Sequence, residues 1–202
     1  MANHVNFNVT FHQINDAAKA KLNEMYGRIR KENNYQWLSD MFVEGDLTYE
    51  ETEKYTWTTE NIGPKWSYLN DFDENGFQGE AAWSAPVVGL VKLLTILEEF
   101  DPKIITSITY EDESPNFVGW EVYEGSECYD GEEEDWEEIR ERVINDSEVL
   151  TEESWDDDEE DWVDEEASDT FYEEMWESIG NWQWAAVREC VDAIEDNQTE
   201  EE

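Results

Sequence analysis

Positive charge is what this sequence most lacks. Twelve Lys and Arg stand against 55 Asp and Glu in 202 residues, a formal net charge of −43. Such a chain repels phosphates, which excludes direct DNA or RNA binding and leaves basic proteins or cations as its partners. Cysteine is nearly as scarce: only Cys128 and Cys190 occur, far apart and with no histidine near them. A zinc site has no ligands to draw on, and the two thiols read as reduced. No apolar run approaches the roughly 18 residues of a membrane span. The opening Met1-Ala2-Asn3-His4 lacks a basic and then apolar signal pattern, so the cytoplasm is the expected location.

Catalytic signatures are missing too. There is no Gly-rich phosphate loop, no Gly-x-Ser-x-Gly elbow and no His-Glu-x-x-His pair. His4 and His12 fall on the polar side of an expected first strand, where surface histidines are ordinary. Carboxylate pairs are so abundant that no two stand out as glycosidase residues. Trp57, Trp66 and Trp83 read as core aromatics rather than a sugar platform. Asp156, Asp158 and Glu160 alternate as calcium-loop ligands do, but Asp161 stands where the loop needs Gly and Ala167 where it needs Glu. The expectation is a protein that is no enzyme and holds no cofactor or metal.

Aromatic residues, by contrast, are plentiful. They make up 14% of the chain and include 11 Trp. Disordered acidic segments carry few such groups, so acid and aromatic together imply a folded body under a charged skin. The charge is unevenly divided. Residues 1–125 hold nine Lys/Arg and 22 Asp/Glu, a net −13, whereas residues 126–202 hold three and 33, a net −30.

The first part reads as an α+β domain. Val5, Phe7, Val9 and Phe11 alternate with polar residues as in a half-buried strand. Asn15 or Asp16 then caps a helix with Ala18, Leu22, Met25 and Ile29 on one face. Residues 33–53 read as an insertion. The aromatic-rich stretches 54–59 and 65–71 read as strands, and 77–84 follows a turn at Glu74-Asn75-Gly76. Pro86 opens a helix with Val87, Leu90, Val91, Leu94 and Leu97 inward. Strands are expected at 104–110 and 118–123. A ferredoxin-like antiparallel sheet with helices on one face fits that order.

Short motifs add a resemblance. Met1-Ala2-Asn3, Gly63-Pro64-Lys65-Trp66, Ala82-Trp83-Ser84-Ala85-Pro86, and Tyr110-Glu111 leading to Phe117-Val118-Gly119 resemble the YubB-type ferredoxin-like family of plasmids and phages over roughly residues 1–125. The resemblance implies a ferredoxin-like fold and a mobile-element origin, and no activity or catalytic residues. His4-Val5 and the long acidic C-terminal part depart from the family pattern.

The second part, 126–202, reads as an acidic, Trp-rich and mainly helical extension. Over 132–144, Trp136, Ile139 and Val143 keep helical spacing while the acids fall on other faces. Over 169–194, Tyr172, Met175, Trp176, Ile179, Ala186, Cys190 and Ile194 form an inward stripe, interrupted near Gly180-Asn181. Trp155 and Trp162 bracket six acids and read as anchors. The candidate partner-binding residues are Glu132, Glu133, Glu134, Asp135, Glu137 and Glu138; Asp156, Asp157, Asp158, Glu159, Glu160 and Asp161; and Asp164, Glu165 and Glu166.

Thirty net charges match those on about 50 Å of duplex DNA, or roughly 15 base pairs. The expected function is a nucleic-acid mimic of phage or mobile-element origin that blocks a host DNA- or RNA-binding defence protein, whether restriction, nuclease or CRISPR-type. An acidic chaperone or assembly factor shielding a basic partner is the alternative.

Overall fold

The computed structural model describes residues 3–32, 35–156 and 161–200. In chain order the elements are β1 (His4–Gln13), α1 (Asp16–Tyr26), β2 (Lys31–Glu32), β3 (Tyr35–Gln36), a 3-10 turn (Leu38–Phe42), α2 (Tyr49–Thr52) and α3 (Tyr55–Asn61). Then come β4 (Ser67–Asp73), β5 (Gly76–Ala82), α4 (Val87–Leu97), β6 (Ile105–Asp112), β7 (Phe117–Glu124) and β8 (Glu127–Asp135). The chain closes with α5 (Trp136–Asp146), a 3-10 turn (Glu152–Ser154), β9 (Trp155–Asp156), β10 (Asp161–Trp162) and α6 (Glu165–Glu200).

One six-stranded antiparallel sheet organises the molecule, in the order β4-β5-β1-β6-β7-β8. Alternation along β1 decides its faces. Val5, Phe7, Val9 and Phe11 are buried on the side covered by α1 and α4, where Leu22, Met25, Leu90, Leu94 and Leu97 meet them. Asn15 caps α1 by accepting from the backbone N–H of Ala17 and Ala18 at 2.9 Å. The inserted residues between α1 and β4 add Leu38, Met41, Phe42 and Ile62 to the same core.

The stretch expected as a strand at 54–59 belongs instead to helix α3. Aromatic content suggested β structure, but the segment packs on α4 rather than joining the sheet. Trp57 is partly buried against the core, as expected, while Trp83 is 57% exposed with its backbone at φ 68°. Residues 132–135, expected to begin a helix, close strand β8; the helix starts at Trp136.

Helices are not confined to one face. α5 and α6 cover the β6-β7-β8 half of the opposite side. There Ile105, Trp120 and Val122 meet Val187, Cys190, Val191 and Ile194, while Val118 meets Ile139, Val143, Phe171, Met175 and Ile179. Burying each such aliphatic or aromatic side chain is worth roughly 1.5–3 kcal/mol. The acidic extension is therefore part of the sheet and its cover. The boundary near residue 125 falls in the tight turn between β7 and β8, where Gly125 takes φ +60°.

Candidate functional site

α6 sets the geometry of the acidic surface. Buried Phe171, Met175, Ile179, Gln183 and Val187 recur every fourth residue, and Cys190, Ile194 and Gln198 continue the stripe. The helix runs unbroken through Gly180, where an interruption was expected. Packing on both sides of Gly180 outweighs the roughly 1 kcal/mol that a mid-helix glycine costs. Polar links add position to this packing. The Gln183 amide donates to the carbonyls of Gly119 (2.9 Å) and Tyr110 (3.2 Å), and Gln198 links to Gln13 (2.9 Å) and Glu124 (2.8 Å).

At 1.5 Å per residue, the 36-residue helix is about 54 Å long. Eleven of its residues are Asp or Glu. Asp169, Glu173, Glu177, Glu189, Asp192, Glu195 and Asp196 are exposed, and sequence reasoning did not select them. Their signal was the four-residue inward stripe, which leaves the other faces to acid. No basic residue occupies the last turn, although a cation there is favoured by about 0.3–1 kcal/mol. Helix stability alone does not account for that choice of residues.

The sequence-selected residues divide by role. Glu132, Glu137, Glu165 and Glu166 are exposed, and among the described residues no hydrogen bond or ion pair neutralises their carboxylates. Glu133 accepts a 3.1 Å hydrogen bond from the Tyr110 hydroxyl, whose ring crosses Gly119 so closely that a Cβ there would lie 2.4 Å away. Glu134 is no free carboxylate: it holds Arg142 through Nη2 at 2.6 Å and Nε at 2.9 Å, with both side chains largely buried. Asp135 caps α5 by accepting from the N–H groups of Glu137 and Glu138, and Glu138 accepts from the Asp135 N–H in return. Asp164 likewise accepts from the Ala167 N–H at the start of α6.

Asp156 is exposed and pairs through its backbone with Asp161 in the β9-β10 hairpin. Asp157, Asp158, Glu159 and Glu160 lie outside the described residues. The flanking rings of Trp155 and Trp162 meet edge to face at 5.1 Å, and Trp162 lies 4.5 Å from Phe171 of α6. The hairpin, α5 and the first turns of α6 thus surround one buried cluster. A cavity of about 650 Å³ opens between the end of α5 and α6, lined by Asp146, Glu148, Glu174 and Glu177. One buried oxygen of Glu174 has no hydrogen-bond partner. Among the described residues, no group of three or more His, Cys, Asp or Glu is arranged to hold a metal ion.

The β4-β5-β1 half of the same sheet face stays open. Asn6, Asn8, Asn70, Gln78, Thr109, Glu111 and Gln183 border a trough of about 360 Å³. Burial raises the Glu111 carboxyl above the usual carboxylate range, and a hydrogen bond from Asn6 offsets only part of that shift. Next to Asn70, Glu80 accepts from the Tyr68 hydroxyl (2.7 Å) and contacts His4 Nδ1 (3.0 Å), and these two contacts, the tyrosine's first, hold its carboxyl low. Burial lowers the His12 imidazole, which lies 2.8 Å from the Ser107 hydroxyl.

No family model matches this chain, and neither a curated protein nor a solved structure is significantly similar to it. Among the described residues no helix is long and apolar enough to cross a membrane.

Proposed function

We propose that this protein is a non-enzymatic, acidic nucleic-acid mimic that occupies the phosphate-binding channel of a basic protein. The observation that carries the reading is the mounting of the acid. α6 is fastened to the sheet along its length, so its carboxylates stand on a fixed frame rather than a loose tail. Rigid placement lets carboxylates meet Lys and Arg set out for phosphates, without first losing the entropy of a mobile segment. α6 itself holds 11 Asp and Glu and one Arg, a net −10 over roughly 54 Å, or one charge per about 5 Å, and the remaining −20 of the extension's net −30 lies outside the helix, mostly in the residues before it.

The strand order β4-β5-β1-β6, with α1 and α4 on one face, supports a ferredoxin-like reading of the first unit. On this view that unit is the platform and the extension is the effector. A phage or plasmid protein acting on a host restriction, nuclease or CRISPR-type complex in the cytoplasm fits such a design.

The test is capture of proteins from a bacterial lysate on the immobilised full chain, eluted by rising salt. One variant neutralises Glu165, Glu166, Asp169, Glu173 and Glu177 to Gln or Asn. A control does the same to Asp46, Glu50, Glu60, Glu99 and Glu113, all exposed on the first unit. The expected result is loss of a nucleic-acid-binding protein from the first variant only. Equal loss from both would reduce the acid to non-specific charge.

A further inference from the structure

Beside its buried stripe, α6 carries a second row. Tyr172, Trp176, Gly180 and Trp184 each follow a buried residue by one position, so they run together along one flank of the helix. Ser178 and Trp182, which meet Arg142 of α5, mark the opposite flank. Tyr172, Trp176 and Trp184 are 50%, 43% and 63% exposed. Gly180 is the unexplained member: a Cβ added there would meet nothing within 4 Å. Neither packing nor backbone conformation requires glycine, yet a mid-helix glycine costs about 1 kcal/mol relative to alanine. What it does is leave a notch between two indoles about 12 Å apart along the axis.

The extension's own cations show what such rings take. All three of its basic residues lie over a Trp: Arg140 over Trp155 at 4.5 Å, Arg142 over Trp182 at 4.9 Å and Arg188 over Trp184 at 5.1 Å. Among the described residues, no cation of this chain lies over Trp176. Glu173 lies three residues before Trp176 and Glu177 three residues before Gly180, each a neighbour on the helix surface, and both are exposed.

We infer that the Trp176–Gly180 notch receives an arginine side chain of the basic partner, its guanidinium stacked on Trp176 and its charge met by Glu173 and Glu177. This inference rests on the proposed reading and adds a preference within it. Charge alone attracts Lys and Arg alike. A planar, weakly hydrated guanidinium stacks on indole better than a compact ammonium.

Titration calorimetry of the full chain with nona-arginine and nona-lysine, near physiological salt, tests the inference. Trp176→Ala removes the ring, and Gly180→Gln fills the notch in open space while favouring the helix. The wild type should bind nona-arginine about five-fold more tightly than nona-lysine, a factor set by one cation–π contact. Both variants should lose that preference and keep their affinity for nona-lysine, and Gly180→Gln should also melt at a higher temperature. Equal affinity of the wild type for the two peptides, or a preference retained by both variants, overturns the notch while leaving the acidic surface standing. Failure to bind either peptide overturns the notch and the acidic-surface reading together.

Discussion

Arg142 of α5 grips Glu134 of β8 through two guanidinium nitrogens, at 2.6 and 2.9 Å. The same guanidinium donates to the Ser178 hydroxyl at 2.8 Å and lies over the Trp182 ring of α6. One cation therefore ties the edge strand, the short helix and the long helix together. Removing one member of a largely buried pair leaves the other charge uncompensated. Arg142→Ala should lower stability by roughly 2–4 kcal/mol in urea unfolding. Arg188→Ala, whose 3.7 Å pair with Asp192 is well exposed, should change it by less than about 0.5 kcal/mol.

The docking of α6 should be as strong as its buried stripe implies. Phe171→Ala and Ile194→Ala each empty a fully buried site, at an expected cost of about 2–5 kcal/mol. Limited proteolysis should leave residues 126–196 of the wild type intact and cut the Phe171→Ala variant within α5 or α6. Trimming of the wild type back to about residue 125 at the same rate would show that the helix is not held.

Acidification should stabilise the fold before it harms it. The folded-state carboxyl of Glu111 is raised, so the folded chain takes up that proton more readily than the unfolded chain. Stability therefore increases as pH falls through the raised value, and protonation relieves the repulsion among exposed acids as well. Glu80 acts in the opposite direction. Its lowered carboxyl contributes stability above the unfolded value, which is lost as pH falls through the folded one. Thermal melts should rise from neutral pH toward about pH 5 and decline further down. Glu111→Gln should raise the neutral-pH melting temperature and flatten the rise.

Salt should act in the same direction as mild acid. Like charges on α5, α6 and β8 repel over a Debye length near 8 Å at physiological strength. Raising sodium chloride from about 0.02 to 0.5 M should increase the melting temperature. A fall would mean that attractive pairs such as Arg30–Asp40, joined at 3.1 Å, outweigh the repulsion.

Much of the fold was legible because its signals were local. Alternation in β1, the Asn15 cap and Pro86 ahead of α4 each point to one element. β8 was not legible: it is an edge strand on which every residue but Glu134 is exposed, so its Glu and Asp show no apolar alternation. Carboxylates suit such an edge, since they discourage pairing with another chain. The continuity of α6 was hidden by Gly180, whose local cost is outweighed by contacts distant in sequence. The candidate site was legible as charge but not as roles. Nothing in the spacing of Glu132, Glu133 and Glu134 reveals that the last is committed to Arg142, because that pairing depends on β8 lying beside α5.

If the rigid acidic surface stands in for nucleic acid, this protein and a duplex must compete for the partner captured from lysate. Labelled DNA or RNA duplex is bound to that partner, and the full chain is titrated in at several salt concentrations. Complete displacement of the duplex is expected, with an apparent affinity for the chain that falls steeply as salt rises, as phosphate contacts do. A ternary complex in which partner, duplex and this protein bind together at undiminished affinity would contradict it.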